Sequence, residues 1–313
     1  SDLIMQIQFL GTGSGLPSKE RNVSSIALKM MAERGEVWLF DCGEATQHTI
    51  LHTSIRPRKI SKIFITHLHG DHIFGLPGLL CSRSFQGGID PLTVYGPKGI
   101  SDFIQTALNL SQSHLSYPLE IVELDQQGEV FAHTGIKVQY RTLHHSIQSY
   151  GYRIIESEQA GGLQADKLNE LGIPNGPIWG KLKQGQSVTL PDGRLIHGKD
   201  YLSPPIKGRE IVIFGDTRFS ADHADFCRDA DVLVHEATFA KGEDETAAQF
   251  GHSSCTQAAE LAKIAGVRRL YLSHLSARHI GRTEQIEQEA RSIFSESYVV
   301  HDLYEADIPL HKL

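Results

Sequence analysis

Several apolar runs in this sequence end in a side chain that can bind a metal ion, and this pattern constrains the fold more than any other feature. The runs are KIFIT before His67, EIVIFG before Asp216, DVLV before His235 and Glu236, and RRLYLS before His274. Uninterrupted apolar runs are typical of strands that are buried on both faces. In α/β sheets, binding sites gather where such strands end. One polar strand end is ordinary, but four of them predict a shared site at one edge of the core.

The order of the predicted elements favours a mixed α/β fold. Strand-like runs alternate with helical stretches along the chain, and no internal repeat is visible. Ser253 or Ser254 can cap the third of the predicted helices. We predict strands at 6–10, 25–30, 37–40, 62–66, 92–95, 137–142, 210–214, 232–234 and 269–272, and helices at 45–53, 100–110, 256–265 and 284–292.

The composition is that of a globular chain that does not depend on disulfide bonds. The four cysteines form no C-x-x-C pair, which favours a reducing, cytoplasmic location. No apolar run reaches the roughly 18 residues of a membrane span, and the N-terminus has no signal-peptide pattern. We therefore expect neither secretion nor membrane insertion.

The densest group of candidate ligands is the string His67-Leu68-His69-Gly70-Asp71-His72. A structural zinc finger spaces its ligands in two separated pairs and uses thiolates, so it is excluded. Imidazole and carboxylate ligands suit zinc, manganese or iron. Because ligands from the two halves of the string cannot easily converge on one ion, the string predicts two ions about 3.5 to 4 Å apart.

This string, followed by single histidine and aspartate residues at later strand ends, resembles the metallo-β-lactamase superfamily. More narrowly, nearly the whole chain resembles the ribonuclease Z family, endonucleases that mature the 3′ end of transfer RNA. The resemblance implies a metallo-β-lactamase αββα sandwich with an inserted tRNA-binding arm. It rests on the combination of PSKERN from Pro17, FDCGEATQ from Phe40, GIPNGP and KLKQG between 172 and 185, GDTR from Gly215, HEAT from His235, HSS from His252 and SAR from Ser276.

The resemblance also implies a set of metal ligands, for two Zn²⁺ per subunit or for Mn²⁺ or another divalent ion. Asp216 is expected to bridge the two ions. The ligands it implies are His67, His69, His145 and Asp216 for one ion, and Asp71, His72, Asp216 and His274 for the other.

One of these ligands is ambiguous from the residues alone. Either His144 or His145 could be the ligand that follows the strand at 137–142. Members of the resembled family place this ligand six residues before the glycine of a G-Y-R string. That glycine is Gly151 here, and the resemblance therefore implies His145.

The resemblance implies three catalytic residues. Asp71 is expected to accept a proton from the attacking water while it also binds metal. Glu236 is expected to orient His252, which can donate a proton to the leaving 3′ oxygen. His235 is expected to be a buried support, because the site needs no eighth ligand.

The glycine loop at 11–15 follows a strand and invites comparison with a dinucleotide-binding fold. Pro17 and charged residues follow where the helix should begin, and no acidic residue ends a second strand about 20 positions later. We therefore reject that fold. In the resembled family this loop and Arg21-Asn22 border the active site, and Arg278 contacts the 3′ end of the RNA.

Residues 157–208 differ from the rest of the chain in composition and pattern. They are rich in Gly and Pro and have weak apolar periodicity. Such a segment by itself is either a solvated loop or a functional arm. The resemblance favours a flexible tRNA-binding arm between two parts of the core, 1–156 and 209–313, with Lys181 and Lys183 in contact with the substrate. A net charge of −7 argues against broad nonspecific binding of nucleic acid, so we expect tRNA to be recognised by shape and backbone.

The sequence thus predicts a zinc-dependent endoribonuclease, homodimeric by resemblance, that cuts precursor tRNA 3′ of the discriminator nucleotide. The position of the cut is implied by the resemblance, which also implies a 3′ hydroxyl on the tRNA and a 5′ phosphate on the trailer. One alternative is a small-molecule phosphodiesterase of the same superfamily, which would share the ligands but has no use for the arm. The other is a noncatalytic RNA-binding protein, which would have lost ligands, and none is missing.

Overall fold

Two seven-stranded β-sheets organise residues 4–312, the part of the chain that the computed structural model describes. Within that range, no helix combines the length and the apolar character needed to cross a membrane. The strands are β1 (Met5–Gly11), β2 (Ser25–Met30), β3 (Glu36–Phe40), β4 (Ile60–Phe64), β5 (Leu92–Pro97), β6 (Leu119–Leu124), β7 (Gly128–His133), β8 (Ile136–Thr142), β9 (Tyr150–Glu156), β10 (Ser187–Thr189), β11 (Leu195–His197), β12 (Ile206–Lys207), β13 (Glu210–Phe214), β14 (Val232–Glu236), β15 (Arg269–Ser273), β16 (Ser297–Val299), β17 (Glu305–Ile308) and β18 (His311–Lys312). The α-helices are α1 (Met31–Arg34), α2 (Thr46–Thr49), α3 (Gly70–Ile73), α4 (Leu76–Phe85), α5 (Ile100–Leu110), α6 (Ala165–Glu170), α7 (Pro177–Lys183), α8 (Ala224–Cys227), α9 (Asp244–Gln249), α10 (Cys255–Ala265) and α11 (Thr283–Arg291).

Each of the two sheets has a parallel half and an antiparallel half. The first has the order β17-β1-β2-β3-β4-β5-β6, and its strands are parallel from β3 to β6. The second has the order β16-β15-β14-β13-β9-β8-β7, and its strands are parallel from β13 to β16. The apolar runs that end in candidate ligands form β4, β13, β14 and β15, which all belong to these parallel halves. Their carboxyl ends therefore meet at the edges where α/β sheets carry binding sites.

The inner faces of the two sheets share one apolar core. The ring of Phe64 lies 5.3 Å from that of Tyr152, and the ring of Phe9 lies 5.5 Å from that of Tyr271. Helices α4 and α5 cover the outer face of the first sheet, and α8, α10 and α11 cover the outer face of the second. This order of helix, sheet, sheet and helix confirms the predicted α/β class and the αββα sandwich.

Some predicted boundaries differ from the structure. The helix predicted at 45–53 is the short α2 followed by a 3₁₀ turn at Ile50–His52, whereas the helix predicted at 100–110 is α5. Ser254, rather than Ser253, caps α10. Its hydroxyl accepts from the backbone N–H of Gln257, and the Gln257 side chain accepts from the backbone N–H of Ser254.

Glu156–Arg209 forms a separate compact unit together with residues 310–312. It contains α6, α7, the β10–β11 hairpin and the paired strands β12 and β18. Nε and Nη2 of Arg209 donate to the two carboxylate oxygens of buried Glu156 at 2.6 and 3.0 Å. These hydrogen bonds offset the desolvation free energy of the two buried charges. The small apolar core of this unit consists of Leu168, Ile173, Leu182, Leu190 and Ile196.

Candidate metal centre

Seven histidine and aspartate side chains converge in two clusters that share one carboxylate. Within each cluster the possible ligand atoms all lie within 4.8 Å of one another. The shared residue is Asp216, which places Oδ2 3.3 Å from Nε2 of His67 and Oδ1 3.4 Å from Nε2 of His72. The clusters are His67, His69, His145 and Asp216, and Asp71, His72, Asp216 and His274.

The ends of parallel strands and one short helix bring these side chains together. His67, Asp216 and His274 follow β4, β13 and β15. Helix α3 begins directly after His69, and its single turn carries both ligands of the D-H pair. The H-x-H-x-D-H string therefore contributes to both clusters. Its first two histidines, which follow the strand, belong to the first cluster, and the aspartate and histidine on the helix belong to the second.

Two buried nitrogen atoms show that the clusters suit cations. Nε2 of His67 and Nε2 of His72 make no hydrogen bond with any described residue. A buried polar atom without a partner is costly and calls for an explanation. Imidazole nitrogens grouped with carboxylate oxygens are the donors that divalent transition metals take. The two clusters thus fit a dinuclear metal site.

The protonation states of His67, Asp71 and Asp216 agree with this fit, whereas the carboxylate of Asp216 outweighs burial and raises the pKa of His72 and His274. Burial lowers the pKa of His67 to about 4, so its imidazole is neutral, which is the form that binds metal. Burial by itself would raise the pKa of Asp71, but the neighbouring imidazoles of His274 and His72 outweigh it and the pKa is lowered. Burial also acts to raise the pKa of Asp216, yet the charges of His274 and His72 hold it well below its usual range. Both carboxylates are therefore ionised at neutral pH.

Asp41 supports the site although the sequence analysis did not select it. Its Oδ2 accepts hydrogen bonds from Nδ1 of His72 at 2.7 Å and from Oγ1 of Thr66 at 2.8 Å. This contact leaves Nε2 of His72 to face the cluster and fixes the orientation of the ring. The signal was present in the sequence, because Asp41 directly follows the apolar run VWLF, as the other site residues follow theirs.

The structure places His145, and not His144, in the first cluster. His145 donates from Nδ1 to the carbonyl of Gly251 at 2.7 Å, and its Nε2 lies 3.2 Å from Nδ1 of His69. Gly251 has a φ of +72°, and a Cβ there would come within 2.8 Å of Nδ1 of His145, so this position requires glycine. The ring of His144 instead stacks on His223 at 5.0 Å.

Glu236 and His252 form a pair beside the clusters. Nδ1 of His252 lies 2.9 Å from Oε1 of Glu236, which is buried and also accepts from the backbone N–H of Thr217. Burial would lower the pKa of His252, but Glu236 outweighs it and raises the pKa to about 9. His252 is therefore protonated at neutral pH and suited to donate a proton. His235 is buried outside the clusters, with Nδ1 hydrogen-bonded to the carbonyl of Glu236.

Thr238 links this pair to the second cluster. Its hydroxyl donates to Oε2 of Glu236 at 2.5 Å and therefore accepts from Nδ1 of His274, 2.8 Å away. Nε2 of His274 is then the nitrogen that faces Asp71 and Asp216, at 3.3 Å from each. One carboxylate thus orients both a candidate ligand and a candidate proton donor.

The glycine loop borders the clusters, but its neighbouring arginine is not exposed. The backbone N–H of Gly15 donates to Oδ2 of Asp71 at 3.1 Å. Arg21 is buried, and its Nη1 donates to Thr12 Oγ1 and to a backbone carbonyl, so the guanidinium supports the loop from within. The Asn22 side chain donates to a carbonyl at 2.7 Å. For both residues, contact with RNA stays a prediction.

The other predicted RNA contacts lie on the surface. Arg278 has an exposed guanidinium 3.3 Å from Glu243, and it also lies over the ring of Phe239. Lys181 and Lys183 are exposed in the last turn of α7. Their contact with RNA stays a prediction as well.

Comparisons with known proteins connect this geometry to two named groups. A family model described as Anti-Pycsar protein Apyc1 matches residues 5–169. Ribonuclease Z of Limosilactobacillus fermentum is 57% identical to this chain. The aligned region covers 97% of this chain and 99% of the relative. Ribonuclease Z of Lactiplantibacillus plantarum is 55% identical, with coverages of 98% and 99%.

Two solved structures share the fold over nearly the whole chain. The short form of human tRNase Z superposes with a TM-score of 0.70 and 30% identity, covering 97% of this chain and 99% of its own. The metallo-β-lactamase fold protein YhfI from Bacillus subtilis has a TM-score of 0.68 with the same coverages, and its 18% identity bears on the fold alone. These matches confirm the predicted fold.

Proposed function

Since the chain belongs to the ribonuclease Z family, we propose that it is an endoribonuclease that matures the 3′ end of precursor tRNA. The observation that carries the proposal is a set of seven candidate ligands, joined by Asp216, in a chain that matches these relatives over nearly its full length. Residues 5–169 belong in addition to the family described as Anti-Pycsar protein Apyc1, and that match ends before Asp216 and His274.

The two clusters would hold two divalent ions, and their imidazole and carboxylate donors suit zinc and also manganese. When bound, two such ions supply an activated water and neutralise the charge that builds up on the phosphate. The chain's own residues set the geometry for this chemistry. Asp41 and Thr238 hold the rings of His72 and His274, so that Nε2 of each faces the cluster.

Two side chains of the site move protons. Asp71 is ionised, and it accepts the proton of the attacking water through a carboxylate oxygen. Glu236 holds Nδ1 of His252, so Nε2 is the nitrogen that donates a proton to the departing 3′ oxygen. The cut then falls 3′ of the discriminator nucleotide and leaves a 3′ hydroxyl on the tRNA and a 5′ phosphate on the trailer.

Recognition of the tRNA is assigned to residues outside the clusters. Residues 157–208 serve as the tRNA-binding arm, supported by the family resemblance and by the exposed ammonium groups of Lys181 and Lys183. Arg278 contacts the 3′ end of the RNA, and the glycine loop with Arg21 and Asn22 borders the active site. The protein acts as a homodimer, as the family resemblance implies, and light scattering coupled to gel filtration tests this.

An assay with two substrates tests the proposed function. The protein, loaded with Zn²⁺ or Mn²⁺, is given a precursor tRNA with a 3′ trailer and, separately, bis(p-nitrophenyl) phosphate. We expect both to be hydrolysed, with the tRNA product ending in a 3′ hydroxyl after the discriminator nucleotide. Hydrolysis of the small substrate alone would identify a small-molecule phosphodiesterase. Binding of tRNA without hydrolysis of either substrate would identify a noncatalytic RNA-binding protein.

A further inference from the structure

We infer that the cavity beside His145 binds one nucleotide of the RNA, the nucleotide next to the scissile phosphate. In this subsite Phe250 stacks on the base and Arg218 contacts a phosphate. The inference rests on the proposed ribonuclease function and adds to it a binding site for a single-stranded nucleotide. None of the motifs that support the family resemblance assigns this role to Phe250 or Arg218.

The cavity has the size and the charge that a nucleotide requires. Its volume is about 520 Å³, within the range of roughly 300 to 1,000 Å³ that is typical of small-ligand sites. Its lining includes Arg218, Gln249, Phe250 and both histidines of the 144–145 pair, but no aspartate or glutamate. A negatively charged, partly aromatic ligand therefore meets one cation and no repelling carboxylate.

Arg218 is an arginine near the metal centre whose guanidinium has no partner among residues 4–312. It is exposed, and its side chain makes no hydrogen bond or ion pair with the described residues. Arg21, in contrast, is buried and hydrogen-bonded, and Arg278 reaches a carboxylate. The backbone of Arg218 is fixed, because its N–H donates to the carbonyl of His144 at 2.8 Å. A free guanidinium on a fixed backbone, two residues after Asp216, is well suited to a phosphate.

Phe250 offers an aromatic face to solvent. Its side chain is 62% exposed, and its ring lies nearly parallel to that of Phe239, at 6.4 Å and 11°. Phe239 is buried, and the guanidinium of Arg278 lies over the Phe239 ring, 5.4 Å from the ring centre. Phe250 is thus supported from one side by a packed ring. Exposed aromatic rings of this kind stack on the bases of single-stranded RNA.

The backbone around Phe250 ties this ring to the catalytic groups. The next residue, Gly251, accepts the hydrogen bond of His145, and the residue after it is His252. The N–H of His252 donates to the carbonyl of Ala247 at 2.8 Å, which holds the segment against the end of α9. A base stacked on Phe250 therefore belongs to a nucleotide adjacent to the scissile phosphate rather than to a distant part of the tRNA.

Fluorescence of 2-aminopurine tests the subsite, because stacking on an aromatic ring quenches it. Two precursor tRNAs carry the probe, one at the discriminator position and one at the first trailer position. The metal-loaded protein is mixed rapidly with each, and quenching is recorded before cleavage. We expect the wild-type protein to quench one of the two probes, and the probe that responds identifies the nucleotide.

The variants separate stacking from general effects. Phe250→Leu should abolish the quenching and raise KM for precursor tRNA roughly tenfold, while Phe250→Trp should restore both. Arg218→Gln should raise KM several-fold, and Arg218→Lys should recover part of the loss. Phe85→Leu is the matched control, because Phe85 is 90% exposed in the same unit, and it should change neither readout. Metal content and circular dichroism verify that each variant is folded.

Two outcomes would overturn the inference, and they are distinguishable. If the wild-type protein cleaves precursor tRNA but Phe250→Leu keeps wild-type quenching and KM with both probes, the subsite is wrong and the proposed function stands. If the wild-type protein leaves precursor tRNA intact, the proposed function is wrong, and the inferred subsite is then wrong as well.

Discussion

The two compact units of this chain differ in where their functional side chains lie. In the unit with the two sheets four of the seven candidate ligands are buried, with exposures of 0% for His67 and 3% for Asp216, and the other three are half-buried. Strand ends and hydrogen-bonded neighbours hold these rings and carboxylates in place. In the Glu156–Arg209 unit the buried side chains are the apolar core and the Glu156–Arg209 ion pair, and Lys181 and Lys183 are exposed.

This difference reflects two kinds of task. Metal ligands must be held in one geometry and shielded from water, because small displacements weaken both metal binding and catalysis. Cations that contact an RNA backbone need exposure and reach. We therefore expect substitutions in the first unit to affect every substrate, and substitutions in the second to affect tRNA alone.

The largest effect is expected from removal of the shared carboxylate. Asp216→Ala should lower the metal content below two ions per chain and reduce the hydrolysis of both substrates by roughly a thousandfold, since it removes a ligand from both clusters. Elemental analysis after dialysis and initial rates check this. Asp225→Ala, at an exposed carboxylate of the same unit, is the control and should behave as wild type. A variant that retains two ions and most of its activity would show that Asp216 does not bridge.

The adjacent residues His144 and His145 provide a sharper test of the same unit. His145→Ala should lose metal and reduce turnover of both substrates by about a hundredfold or more, because it removes one ligand of the first cluster. His144→Ala should retain its metal and its turnover of bis(p-nitrophenyl) phosphate, since the ring of His144 stacks on His223 outside the cluster. The reverse pattern would mean that the ligand is His144.

The α/β fold class and some of the candidate ligands could be predicted from local patterns in the sequence. His67, Asp216 and His274 follow long apolar runs, and that pattern is local, so it can be seen without a structure. The roles of Gly251 and Thr238 could not be foreseen in this way. They depend on hydrogen bonds to His145 and His274, which are distant in the sequence.

Two kinds of element escaped prediction for physical reasons. Helices α6 and α7 have six and seven residues, too short to show a helical period. Strand β9 contains Tyr150 and Tyr152, whose polar tips interrupt the apolar pattern. Both are nonetheless fully buried, because their hydroxyl groups donate to the carbonyls of Leu124 and Ile65.

Excision of the arm tests whether the two units can be separated functionally. The N–H of Ser203 donates to the carbonyl of Gly162 at 2.8 Å, so residues 163–202 can be replaced by a short Gly-Ser linker between two positions that are already in contact. The excision removes the apolar core of the unit but keeps strand β12 and the Glu156–Arg209 ion pair. Hydrolysis of bis(p-nitrophenyl) phosphate should persist.

Cleavage of precursor tRNA by the same variant should fall by roughly a hundredfold, mainly through a higher KM, because remote binding energy positions the reacting phosphate. Steady-state rates with both substrates and the metal content of the variant measure this. If the variant processed precursor tRNA with the KM and kcat of the wild type, residues 163–202 would have no part in tRNA binding, and RNA recognition would belong to the sheet-containing unit.

The smallest effect is expected from two charges of the arm. Lys181 and Lys183 flank the buried Leu182 on α7, so their replacement by alanine removes charge and leaves the apolar core of the arm intact. If each lysine neutralises one phosphate, the double variant should bind precursor tRNA several-fold more weakly. The slope of log affinity against log salt concentration should become shallower by about 1.4 to 1.8. Lys263→Ala, at an exposed lysine of the other unit, should leave the slope unchanged. An unaltered slope in the double variant would show that Lys181 and Lys183 do not contact the RNA backbone. Losing such a contact must change the number of ions that binding releases, and therefore the slope.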